Sequence, residues 1–82
     1  MREIEWTDNA LDDMAALDKD VARRIKRSVE RFALTGAGNV KKLQDYDPPE
    51  YRLRVGDYRV RFHYDRDIVR IIRVRNRGEA YR

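Results

Sequence analysis

The chain has 82 residues, no cysteine and one histidine, which excludes disulfides, thiol chemistry and an ordinary zinc site. A domain this short buries only about 60–65% of the surface its unfolded form exposes, so its stability is marginal. Its net charge of +4 splits into −2 over residues 1–50 and +6 over residues 51–82, the second part holding ten arginines, no lysine and four acids.

Residues 2–6 alternate and predict a short strand. Thr7 or Asp8 can cap a helix, and Leu11, Met14, Ala15 and Leu17 fall at helical spacing, so residues 8–17 are expected to form a first amphipathic helix. Asp18 is a candidate cap for a second. There Val21, Ile25, Val29 and Phe32 form one apolar stripe, and Arg23, Arg24, Lys26, Arg27 and Arg31 occupy the other faces, reading as a solvated surface. Thr35-Gly36-Ala37-Gly38-Asn39 ends this helix near Leu34, glycine supplying the left-handed conformation that helix C-termini use.

Residues 40–50 are expected to be a connection, since Pro48 and Pro49 forbid helix. Three strands come next, at 51–55, 58–64 and 68–75. Gly56-Asp57 suits a tight hairpin with glycine in its first position, and Asp65-Arg66-Asp67 makes the second turn. The fold class is therefore α+β, one domain over residues 1–82 in the order β-α-α-β-β-β. A two-helix hairpin is expected on one face of a mainly antiparallel four-stranded sheet.

Alternation gives that sheet its chemistry. In Tyr51-Arg52-Leu53-Arg54-Val55 and Tyr58-Arg59-Val60-Arg61-Phe62-His63-Tyr64, successive side chains point to opposite faces. The apolar set meets the helices, and Trp6, Tyr51, Tyr58, Phe62 and Tyr64 are assigned to the core. The other face carries guanidinium groups with few acids among them, a surface suited to phosphate. Nucleic acid is the leading partner. A membrane surface is disfavoured because the basic residues lie on strands, and no apolar run approaches the ~18 residues of a membrane span. With no signal peptide at its start, the chain is expected in the cytoplasm.

The tract Tyr51-Arg52-Leu53-Arg54-Val55-Gly56-Asp57-Tyr58-Arg59-Val60 resembles the central hairpin of the RelE/ParE superfamily of bacterial and archaeal toxins. The tail Val74-Arg75-Asn76-Arg77-Gly78-Glu79-Ala80-Tyr81-Arg82 is similar to that family's C-terminal segment, in which an arginine precedes a tyrosine by a few residues. The resemblance spans the whole chain and its element order. Within the superfamily, RelE-like toxins cleave mRNA in the ribosomal A site, whereas ParE-like toxins inhibit DNA gyrase and generally lack the catalytic set.

The resemblance implies the RelE branch and carries over a candidate catalytic set. Arg52 and Arg54 match two basic residues on one strand, Arg59 the arginine after the hairpin, and Arg77 and Tyr81 the C-terminal pair. Arg61, His63, Arg73, Arg75 and Asn76 are candidate RNA contacts. Several members have lysine at the positions of Arg52 and Arg54, and many have histidine at that of Asn76. The implied partners are a cognate RelB-like antitoxin in a hetero-oligomer, the ribosomal A site and mRNA, with no metal and no cofactor.

RNA is cut when its own 2′-hydroxyl attacks the adjacent phosphate, leaving a 2′,3′-cyclic phosphate and a 5′-hydroxyl. The reaction needs a base, cations at the phosphate and an acid for the leaving oxygen. Arginine grips phosphate through two N–H groups but, with a pKa above about 12, moves protons poorly. Tyr81 and His63 remain as the groups able to move them, and Tyr81 could equally stack on a base. Such a set relies on positioning, which alone can supply about 7–11 kcal/mol. Two alternatives stay open: a ParE-like gyrase inhibitor, and a catalytically inactive module that binds RNA or antitoxin.

Overall fold

A computed structural model describes residues 1–78. The first strand, β1, is Glu3–Trp6, and the first helix, α1, is Asp8–Ala15. Thr7 caps α1: its Oγ1 accepts from the Ala10 N–H at 3.3 Å and donates to the Ile71 carbonyl at 2.8 Å. One hydroxyl thus starts the helix and ties it to the sheet. The second helix, α2, is Lys19–Thr35, and it ends where Gly36 takes φ +77° and its N–H closes on the Phe32 carbonyl.

Four more strands complete a five-stranded sheet: β2 at Val40–Lys42, β3 at Tyr51–Val55, β4 at Tyr58–Tyr64 and β5 at Ile68–Asn76. Their spatial order is β1-β5-β4-β3-β2, with β1 parallel to β5 and the other pairs antiparallel. The α+β class agrees with the sequence, but the sheet has five strands where four were expected. Val40, Lys41 and Lys42 lie opposite Leu53, Arg52 and Tyr51, and three residues are too few for alternation to reveal a strand. Gly56, the first residue of the β3–β4 turn, has φ +58°, as the Gly-first order predicted.

The core lies between the helices and one face of the sheet. Ile25, Val29 and Phe32 of the predicted α2 stripe are buried, with Val21 half-buried at the edge. They meet Leu53, Val55, Val60, Phe62, Val69, Ile71 and Val74. Phe32 packs edge-on against Phe62 at 5.0 Å and Tyr64 at 5.2 Å, and Tyr51 meets Tyr64 at 4.7 Å. Such pairs add about 0.5–1.5 kcal/mol each beyond area burial. The predicted α1 stripe is corrected in part. Ala10, Met14 and Leu17 face the core, whereas Leu11 is 51% exposed and Ala15 is exposed too. The small Ala10 lets the short helix approach β5 closely enough for Asp13 to accept from the Val74 N–H at 2.9 Å.

β5 contains a bulge. Arg61 lies opposite Arg73 and Phe62 opposite Ile71, so Ile72 has no counterpart on β4. The sequence needs this device. Val69 and Ile71 are core residues at odd positions and Val74 at an even one, so strict alternation would bury Arg73 and Arg75 under the helices. The extra residue switches the parity and brings Arg73 and Arg75 to the face that carries no helix, alongside Arg70.

Candidate nucleic-acid interface

The register assembles that face into rows. Nearest the β3–β4 hairpin, Arg54, Arg59 and Arg75 lie directly opposite one another across three strands. In the next row, Lys41, Arg52, Arg61 and Arg73 do so across four. The third row, His63, Arg70 and Glu5, mixes signs. Like charges placed directly opposite one another destabilise a sheet. Seven basic side chains thus stand in two adjacent rows, a concentration of positive charge suited to an anionic partner.

Within the first row, Arg54 is exposed and Arg75 half-buried. Arg59 is 7% exposed, and its Nη1 donates to the Gly56 and Tyr58 carbonyls, both at 3.2 Å. Its guanidinium therefore braces the hairpin from within, and its charge reaches the face from a low-dielectric position. Arg77 joins this end of the sheet because its N–H donates to the Asp57 carbonyl at 2.7 Å, while its side chain is exposed. Asn76 is exposed as well, and its Oδ1 accepts from the Gly78 N–H at 3.3 Å. Arg54, Arg59, Arg75 and Arg77 are thus gathered around one hairpin. Tyr81 lies outside the described residues.

In the second row, carboxylates from the N-terminal half hold two arginines. Asp13 takes Arg73 in a fork at 3.0 and 3.1 Å. Glu50, only 6% exposed, pairs with Arg61 and stands 3.5 Å from Nε2 of His63. In the third row Arg70 pairs with Glu5 at 3.1 Å. The expectation of a face with few acids is therefore corrected in its second and third rows, because Glu5, Asp13 and Glu50, all from residues 1–50, fold onto it. Exposed positive charge collects around Arg54 and Arg77, and His63 and Arg61 belong to a mixed cluster.

Sequence reasoning missed Lys41, Tyr46 and Glu50. Lys41 enters the second row only through β2. A signal for Glu50 existed, since Glu50, Arg52 and Arg54 continue one period-two series. Tyr46, 42% exposed, lies on the Arg61 guanidinium with 5.1 Å from its ring centroid to Cζ. Among the described residues, no group of three or more His, Cys, Asp or Glu side chains could hold a metal ion. No helix of the described residues is long and apolar enough to cross a membrane.

Asp65, in the β4–β5 turn, has its ionisation moved clearly below its ordinary range. Its Oδ1 accepts from the N–H groups of Asp67 at 2.7 Å and Ile68 at 2.9 Å, which hold its pKa below the usual 3.8. This is a turn device, at the end of the sheet away from the arginine hairpin.

Comparisons with known proteins agree on fold and family. The RelE chain of the archaeal RelE–RelB complex from Pyrococcus horikoshii OT3 superposes with a TM-score of 0.78 at 22% identity, covering 96% of this chain and 98% of its own. That of the RelB–RelE complex from Methanococcus jannaschii gives 0.76 at 23%, covering 94% of each chain. A chain of the RelBE2 toxin–antitoxin complex from Mycobacterium tuberculosis gives 0.64 at 25%, covering 93% and 98%. No curated protein matches the sequence. The family model for the ParE toxin of the type II toxin–antitoxin system parDE matches residues 4–81. Sequence and fold together place the chain in this toxin family, within the RelE/ParE superfamily.

Proposed function

We propose that the protein is a ribosome-dependent endoribonuclease that cuts mRNA in the ribosomal A site by 2′-hydroxyl attack. The observation that carries this reading is the pair of like-charged rows, Arg54–Arg59–Arg75 and Lys41–Arg52–Arg61–Arg73, on the face free of helices. A surface that gathers this many cations in adjacent rows suits an RNA backbone. Arg54 and Arg77 grip the scissile phosphate, and Arg59 fixes the hairpin and adds charge from beneath. Arg52, Arg61, His63, Arg73, Arg75 and Asn76 line the path of the strand, and Tyr81 moves the proton or stacks on the base. The chain then acts in the cytoplasm, where mRNA is translated.

A RelB-like antitoxin is the proposed partner. The family's toxin–antitoxin pairing and the RelBE2 complex support this. An acidic amphipathic helix laid on the sheet would neutralise the rows and mask them.

Primer extension on mRNA in a purified translation system tests the activity. Cuts within A-site codons are expected only when ribosomes are present. The ParE description of the matched family favours a second reading, inhibition of DNA gyrase. Intact mRNA together with a block of gyrase supercoiling would establish that reading in place of the first.

A further inference from the structure

The segment between β2 and β3, residues 43–50, is closed at its base by the Leu43 N–H donating to the Glu50 carbonyl at 2.8 Å. Beside it an open groove of about 480 Å³ is lined by Lys41, Lys42, Leu43, Gln44 and Arg52. Tyr51, Tyr58 and Tyr64 pack against the core, but Tyr46 does not and stays 42% exposed. Its ring rests on Arg61, whose guanidinium is also paired with buried Glu50. The Glu50–Arg61 ion pair therefore backs the exposed ring of Tyr46, which restricts its freedom before anything binds. Arg52 links the two features: it lines the groove and lies directly opposite Arg61.

We propose that this segment is a nucleobase subsite, in which a base of single-stranded RNA stacks on Tyr46. The neighbouring phosphates lie on Lys41 and Arg52, and the Gln44 amide reads the edge of the base. The proposal rests on the face being an RNA surface and adds where on that surface a base is gripped. An aromatic ring accepts any base, and the amide, with a donor and an acceptor side by side, complements the N6/N7 edge of adenine. Cations, an amide, an apolar side chain and an exposed ring together match a nucleotide in each of its parts.

The test is equilibrium binding of labelled RNA octamers at several salt concentrations, using oligo-A, oligo-U and an abasic ribose-phosphate octamer. Stacking is worth about 1–3 kcal/mol per base. Oligo-A should therefore bind wild type about fivefold or more tighter than the abasic strand. Tyr46→Ala should lose that margin and keep its salt slope, because no phosphate contact is removed. Tyr46→Phe should retain the margin, and Gln44→Ala should narrow the gap between oligo-A and oligo-U. Equal binding of abasic and base-bearing strands would overturn the subsite while leaving the RNA face intact. So would a Tyr46→Ala variant, folded by circular dichroism, that binds like wild type, or one whose salt slope falls. Absence of salt-dependent binding by wild type to any strand would remove the RNA face and the subsite together.

Discussion

Arg77 contributes to the fold through its backbone, whose N–H donates to the Asp57 carbonyl, while its side chain is exposed. Alanine keeps that hydrogen bond and removes only the guanidinium. Arg77→Ala should therefore abolish growth arrest with no change in circular dichroism or urea midpoint. Full toxicity in the folded variant would take Arg77 out of the site. Arg77 was singled out in the sequence by the resemblance of its Arg-x-x-x-Tyr tail to the family's C-terminal segment. The interior position of Arg59 was not, because alternation gives the face of a side chain but not its depth. Nothing local to Arg59 says that its Nη1 will turn back onto Gly56 and Tyr58.

Among the elements, α1 is short and depends on its anchors. Asp13 alone receives both arms of the Arg73 fork and the Val74 N–H. Asp13→Ala would strip all three bonds from a partly buried carboxylate and is expected to cost about 2–3 kcal/mol, read as a lower urea midpoint with unchanged slope. The β4–β5 turn makes a pH prediction. The folded pKa of Asp65 lies below 3.8, so its contribution to stability is complete above that value and is lost as pH falls through the folded pKa. Asp65→Asn should therefore make the stability curve less steep at acid pH, below about 4, and leave it parallel to wild type near neutrality. Helix periods and turn residues made most elements legible in the sequence. The bulge in β5 left a trace there, the doubled Ile71-Ile72 before Arg73-Val74-Arg75. It could be interpreted only once the positions of the core residues were known.

Across the whole molecule, charge and stability oppose one another. Arg54 lies opposite Arg59, and Arg59 opposite Arg75, so removing the exposed member relieves repulsion. Arg54→Gln should raise the melting temperature at low salt by roughly 1–8 °C, from about 0.2–1 kcal/mol of relieved repulsion. The gain should shrink in high salt, where screening already does the same. The same variant should bind RNA more weakly, and a variant no more stable than wild type at low salt would show that the rows carry no strain. The segregation of charge between the two halves of the sequence was legible from composition. Its partial neutralisation by Glu5, Asp13 and Glu50 was not, because contacts between residues far apart in the chain decide it.

The parallel pairing of β1 with β5 also governs how the protein comes into being. β1 is synthesised before β5, the last of the strands described, and β1 has no other strand neighbour among the described residues. Paired residues such as Glu5 and Arg70 are 65 positions apart, so the sheet closes only after nearly the whole chain has emerged. Folding of this kind is slow for the chain's size, because a large loop must close before its contacts can form. A nascent chain meanwhile lacks Arg73 and Arg75, the last member of each basic row. The arginine face is thus completed in one late step, and a ribosome translating this protein holds an unfinished toxin until β5 is made.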